Sequence, residues 1–270
     1  PDDLQKVQQV LDLVNSIKWD CEVLINKSET NLGLSKRIVS GIDWVFETET
    51  KAIILEDDCV GNQDFFRFCA EMLEKYADDP RVGSVSGSYL GIKPSGPANS
   101  YHFNSYSYIW GWATWARAWK DFGQREAAWR EMSPASKAQL FRDSVPFFWQ
   151  RMFWKRLVTT KPFEELWDFQ WVVTQWINSR LSIEPNINLV RNVGFGQGAT
   201  HTKETGDILG MVPVGNLSFP LEHPTVVNRD LAAMRSIVRL FRASNLSRHS
   251  KLLSQMALRI LGLKGRQLQR

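Results

Sequence analysis

An apolar run that ends in three acids, Ala52-Ile53-Ile54-Leu55-Glu56-Asp57-Asp58, constrains this chain more than any other segment. Four consecutive small or branched apolar residues predict a strand buried on both faces, as in a parallel sheet covered by helices. Ionised carboxylates cannot follow that strand into a core, so the acids belong where it emerges at its C-terminal edge. In open α/β sheets ligands bind outside that edge. Crowded carboxylates repel one another, and a divalent cation is the usual means of keeping them ionised. Asp side chains also cap the turns that follow strands, so the segment alone leaves a metal site and a capped turn both open.

The flanking pattern alternates. Residues 3–17 carry Leu4, Val7, Val10, Leu11 and Val14 on one helical face. Residues 21–26 read as a short strand, and 27–34 as a polar loop with Asn31 and Gly33. A helix is expected from Ser35 to Phe46, and another from Asp64 to Tyr76, stopped by Asp78-Asp79-Pro80. Residues 82–86 form a further strand. This β-α-β-α-β succession predicts a doubly wound, mostly parallel sheet flanked by helices. Beyond Tyr89 comes a loop rich in Gly, Pro and Ser, then a Trp-rich region with a helical insertion at about 124–160. A helix over 168–180 and an extended piece over 181–185 follow.

A hydrophobic content of 43% supports a sizeable core and excludes a disordered chain. Ten tryptophans fall between Trp110 and Trp176, where they serve as core or as flat platforms for sugar rings and bases. Residues 229–270 hold ten Lys or Arg and one acid, Asp230, while residues 1–228 hold 23 basic and 28 acidic side chains. The basicity therefore lies in a helical C-terminal tail, separate from the domain at 1–228. Its amphipathic pattern suits either a peripheral contact with an anionic membrane surface or packing on the domain. An acidic body argues against a nucleic-acid partner. No segment reaches the roughly 18 apolar residues of a membrane span, and no signal peptide is evident. Three cysteines (Cys21, Cys59, Cys69) without metal-ligand spacing suggest a reducing cytoplasm, with the tail touching the inner membrane at most.

Four motifs in order resemble the GT-A class of glycosyltransferases, and most closely a bacterial group distantly similar to the animal N-acetylglucosaminyltransferase that begins complex N-glycan branching. Leu55-Glu56-Asp57-Asp58 with Asp64-Phe65-Phe66 is similar to that enzyme's acidic metal motif and following helix. Gly111-Trp112 with Trp115 resembles its glycine–tryptophan loop. Trp167-Asp168 with Trp171 is similar to its WDDW segment, with Phe169 in place of the second acid. Gly194-Phe195-Gly196 with Gly198, Thr200 and His201 resembles a flexible loop ending in a Ser-His pair.

The resemblance implies an inverting, metal-dependent transferase that moves a sugar from a nucleotide-diphosphate donor, UDP by analogy, to a glycan or glycoconjugate hydroxyl. Asp58 is expected to touch Mn²⁺ or Mg²⁺, with Asp57 near the ribose and Glu56 supporting the sugar. Asp168 is expected to be the base that takes the acceptor's proton; an N-cap for the helix it opens is the structural alternative. Asn31, Lys36 and Arg37 lie where the family contacts the nucleotide, Trp112 and Trp115 where it shapes the sugar pocket, with core packing the alternative for either, and His201 on the loop over the donor, with a polar surface turn the alternative. The six residues from Tyr101 to Tyr106 offer aromatic and hydroxyl groups to an acceptor.

One departure stands out: the family's first strand, which carries base- and ribose-binding residues, has no counterpart ahead of the first helix. Without a substitute the sheet keeps an open edge and nucleotide affinity suffers. An inactive transferase-like module docked through the basic tail is the competing expectation.

Overall fold

The computed structural model describes residues 2–90, 99–123, 129, 131–144, 166–194 and 212–233. In chain order these form α1 (Asp2–Asn15), α2 (Leu34–Val45), β1 (Lys51–Ile54), β2 (Cys59–Gly61), α3 (Gln63–Lys75), β3 (Val82–Ser86), β4 (Tyr101–Asn104), β5 (Trp112–Trp115), α4 (Ala116–Trp119), α5 (Pro134–Ser144), α6 (Trp167–Ile177), β6 (Leu181–Pro185) and β7 (Val190–Asn192). The chain is mixed α/β. Of the expected helical insertion, α5 is described; residues 145–165 and the tail beyond Ala233 lie outside the described residues.

The sheet is mostly antiparallel, which corrects the expected parallel one. Its strand order is β1-β5-β3-β6-β4, and only the β3–β6 pair is parallel. The reason is visible strand by strand. The expected strands β1, β3 and β6 do all point the same way, because β1 and β3 are each antiparallel to β5, and β6 is parallel to β3. Two further strands, Tyr-His-Phe-Asn at β4 and Trp-Ala-Thr-Trp at β5, run against them. Strand β5 lies between β1 and β3, which are joined through α3 and would otherwise be parallel neighbours. Both added strands are fully buried.

Strand β1 sits at the sheet edge and is half-buried, so it is not the doubly covered strand its apolar run predicts. Ala116 N–H donates to Thr50 O (2.9 Å), and the register pairs Lys51 with Trp115 and Ile54 with Trp112. Antiparallel ladders alternate, so residues 50, 52 and 54 turn their backbone groups toward β5. Lys51, Ile53 and Leu55 direct theirs to the open side. Residues 21–26, expected as a strand, are irregular, and Val23, Leu24 and Ile25 stay exposed. Helix α1 forms as expected, yet Leu4, Val7, Val10 and Leu13 remain exposed along it.

Helix α3 shows how sequence sets packing. Asn62 caps it by accepting from Phe65 N–H (2.9 Å), and Phe65, Phe68, Cys69, Met72 and Leu73 recur at helical spacing to bury one stripe on the sheet. Arg117 closes its far end by donating to the carbonyls of Tyr76, Ala77 and Val82. On the other side of β5, Trp112, Trp119, Trp167 and Trp171 form an aromatic cluster with Ile42 of α2. Ring centroids of Trp112 and Trp171 lie 5.4 Å apart, and Trp119 stacks on Phe122 at 4.4 Å. This cluster fixes the start of α6. Among the described residues no helix is long and apolar enough to cross a membrane.

Candidate active site

The acids leave β1 and turn at once. Cys59 N–H donates to Glu56 O (3.0 Å), closing the turn, and Cys59 then starts β2, which pairs with β7 in a separate two-stranded ribbon. That ribbon brings a distant segment to Asp58. Cys59 faces Asn192 in the register, and Val193 N–H donates to the Asp58 carbonyl (2.7 Å). Asn192 Nδ2 donates to Asp58 Oδ1 (3.4 Å), while its Oδ1 accepts from Gly194 N–H (2.8 Å). Gly194 allows this closeness: a Cβ there would lie 2.1 Å from Asp58 Oδ2. Gly111, at φ +66°, does the same underneath, where a Cβ would meet Val190 at 2.7 Å.

Near Glu56, Asp168 sits in the first turn of α6. Leu166, not Asp168, occupies the N-cap position, so the capping alternative for Asp168 does not hold. Glu56, Asp57, Asp58 and Asp168 all line one cavity of about 1080 Å³, with Trp110 and Trp167 in its wall. Its opposite end is apolar, made by Leu34, Ile38, Ile42 and Val45 of α2 and by Ile53 of β1.

The acid end is short of positive charge. Among the described lining residues Arg37 is the one cation, and its guanidinium already donates to Asn26 Oδ1 (2.8 Å) and Asn26 O. Among the described residues none of the four acids forms an ion pair with Lys or Arg. Burial, then the charges of Asp58, Asp168 and Asp57, push the Glu56 carboxyl up to about 7. Burial and the neighbouring Asp58 likewise push the Cys59 thiol well above its ordinary range.

Oxygen or sulfur atoms of Glu56, Asp58 and Cys59 lie within 4.8 Å of one another. Burial and Asp58 disfavour the Cys59 thiolate, so the donors chiefly on offer are carboxylate oxygens beside an open cavity. That set suits a hard divalent cation that keeps waters or takes ligand phosphates, such as Mn²⁺ or Mg²⁺.

The expected site residues therefore divide. Glu56, Asp57, Asp58, Asp168 and Arg37 converge on the cavity. Asn31 is exposed and apart from it, its side chain accepting Gly33 N–H (2.8 Å) at the entry to α2. Lys36 is exposed, again apart from the lining. Trp112 is fully buried in the aromatic cluster and Trp115 donates its indole N–H to Leu73 O, so both are core rather than lining. Tyr101 is also core, its hydroxyl tied to Tyr76 and His223. His201 lies outside the described residues, as does its loop beyond Gly194.

Sequence reading passed over Asn192 and Cys59. The ribbon that places Asn192 against Asp58 spans more than 130 residues, and nothing local in Val-Arg-Asn announces it. A second polar cluster was equally hidden: Glu184 Oε2, fully buried, accepts from Asn104 Nδ2 (2.6 Å) and lies 3.1 Å from His102 Nε2. No protein-family model matches the chain, and no curated protein matches it either.

Proposed function

We propose that the chain is an inverting, divalent-metal-dependent glycosyltransferase of the GT-A type, acting on a nucleotide-diphosphate sugar. The observation that supports this reading most is that Asp58 and Asp168, from distant parts of the chain, line one cavity, each close enough to raise the Glu56 carboxyl. Four neighbouring acids without an ion pair to Lys or Arg among the described residues are unfavourable unless a cation or a proton transfer makes use of them.

Asp58, supported by Glu56 and steadied by Asn192, would hold Mn²⁺ or Mg²⁺. A bound divalent ion supplies neutralisation of the negative charge that builds on a departing diphosphate. Asp168 accepts the proton of the acceptor hydroxyl as that oxygen attacks the anomeric carbon from the side opposite the leaving group. The new carbon–oxygen bond forms as the bond to the diphosphate oxygen breaks, so configuration inverts. Trp110 lines the same cavity and would offer a flat face to the sugar, while Trp167, buried in the aromatic cluster, closes the wall behind it.

Thermal unfolding with UDP and Mn²⁺ tests the reading. The pair is expected to raise the midpoint, and Asp58→Ala to abolish the rise. Asp168→Asn is expected to keep the rise while slowing hydrolysis or transfer of a UDP-sugar by roughly 10²–10⁴-fold. A wild-type protein that shows no Mn²⁺-dependent shift with UDP would remove the basis for the assignment. Stabilisation without turnover of any UDP-sugar would point instead to a binding module.

A further inference from the structure

We propose that a proton held between His102 and Glu184 latches residues 229–230 onto strand β4: while the pair keeps it they stay joined to the sheet, and its loss releases them. The hydrogen bonds around the pair require that proton. Glu184 is fully buried on β6 and His102 nearly so on β4, and the register sets them side by side. Asn186 Nδ2 donates to Asn99 O (2.6 Å), so its Oδ1 is the atom that faces His102 Nδ1 (2.6 Å), and Nδ1 must carry hydrogen. Tyr106 N–H donates to Asn104 Oδ1 (3.1 Å), which turns Asn104 Nδ2 toward Glu184 Oε2 (2.6 Å). That same oxygen lies 3.1 Å from His102 Nε2. With Nδ1 already a donor, a neutral imidazole beside an ionised carboxylate would set two lone pairs against each other inside the sheet. One further proton, on either atom, turns that repulsion into a hydrogen bond.

Net charge gives the latch its direction. With the proton the pair is neutral as a unit; without it the pair carries one buried negative charge. Among the described residues, the titratable groups around it are the Tyr89 ring, edge-on to His102 at 5.9 Å, the Tyr108 hydroxyl beside Glu184 with Tyr106 against it, and the Asp230 carboxylate. Arg229 is the neighbouring cation in sequence. A bare negative pair is therefore repelled by Asp230, and a protonated pair is not.

Asp230 belongs to the segment that covers the sheet's outer strand. Strand β4 ends the strand order, and on its far side Arg229 bridges Phe103 while Asp230 N–H donates to Phe103 O (2.8 Å). Asp230 Oδ1 then accepts from the N–H groups of Ala232 and Ala233. Docking thus brings a carboxylate beside the residue that follows His102 and favours the proton. By reciprocity the proton favours docking. Burial resists charge on the imidazole, yet Glu184, Asn186 and Asp230 hold it above its ordinary value of 6.5. The latch is closed below that pH and opens as pH rises through the elevated folded value. Residue 229 is also where the basic stretch of the sequence begins, so the latch acts at its root.

Residue-resolved hydrogen exchange at pH 6 and pH 9, corrected for intrinsic rates, tests this with no nucleotide or metal present. The outcome is therefore independent of the transferase reading. The Asp230 amide should lose about tenfold or more of its protection between the two pH values. Gly87, whose N–H donates to Gly111 O, should change by less than about twofold. Asp230→Asn keeps the oxygen that accepts from Ala232 and Ala233 but removes the charge. There the loss should shrink to less than about threefold, and imidazole nitrogen shifts should place the titration of His102 at a lower pH than in the wild type. In the wild type at pH 6 those shifts should show hydrogen on Nδ1.

An Asp230 amide equally protected at both pH values, or one that loses protection only together with Gly87, overturns the proposal. So does a wild-type response in Asp230→Asn, or a neutral His102 at pH 6 that carries its hydrogen on Nε2 alone.

Discussion

Replacing Gly194 by alanine tests the site without touching an acid. A Cβ at that position would fall 2.1 Å from Asp58 Oδ2 and 2.9 Å from Asp58 Cγ, against the 3.4 Å or more of ordinary contact. The carboxylate must therefore withdraw by about 1 Å, which its free end can do without unfolding the ribbon. Disturbing the support of a metal ligand costs up to about a hundredfold in metal affinity. Stabilisation by a ligand follows RT ln(1 + [L]/Kd), so a complex held at 100 times Kd contributes about 2.7 kcal/mol. After a hundredfold loss of affinity the same ligand concentration contributes about 0.4 kcal/mol. For a chain of this size 1 kcal/mol moves the midpoint by about 2–4 °C. UDP with Mn²⁺ should thus raise the wild-type midpoint by about 5–10 °C and that of Gly194→Ala by about 1 °C. The midpoints of the two free proteins should stay close. A full ligand shift in Gly194→Ala would mean that the position of Asp58 does not govern binding, and the metal reading of the acid cluster would fall with it.

Three further outcomes follow from the same site and its surroundings. Glu56→Gln removes a carboxylate whose ionisation is resisted in the folded state, from an ordinary value of 4.5 up to about 7. Discounted for partial exposure, the free protein should gain about 2 kcal/mol at pH 8 and nothing below pH 4, read from urea midpoints at both values. Burial opposes charge on His102, but Glu184, Asn186 and Asp230 outweigh it and hold the imidazole above its usual range. Its stabilising contribution is fully present below about pH 6.5 and fades as pH rises through the elevated folded value; His102→Gln should cost about 3 kcal/mol at pH 6 and less at pH 9. Trp171 carries a buried indole N–H without a partner among the described residues, whereas Trp119 donates to Asp43 Oδ1 (2.7 Å). Trp119→Phe should therefore destabilise by about 1 kcal/mol more than Trp171→Phe, measured by chemical unfolding.

How far the fold was legible depended on how a residue signals its neighbours. Strand β1 begins an apolar run, β3 and β6 place Val, Leu or Ile among small and polar residues, and α3 carries a stripe at i, i+3, i+4 and i+7, so the local pattern pointed to each of them. Strands β4 and β5 are short and built of Tyr, His, Asn, Thr and Trp, a composition that reads equally well as loop. Missing them turned an antiparallel sheet into a parallel one on paper. The strand expected at 21–26 had the right residues but found no ladder to join, because pairing, not propensity, makes a strand. At the site, acids at a strand end were legible because charge cannot enter a core. Trp112 was misread because tryptophan serves packing and recognition with the same face, and only burial separates the two.

The intercalation of β5 has a bearing on how the chain is made. Among the described residues Lys51–Ile54 finds its partner in the large sheet at Trp112–Trp115, about sixty residues further on, and β3 meets that same strand on its other side. During synthesis the apolar run ahead of the acids must wait for this late arrival before it can settle. Such non-local pairing slows folding and leaves a sticky intermediate in the meantime. Nascent chains halted before residue 112 should consequently need chaperone protection, and those extended just past 115 should begin to resist protease.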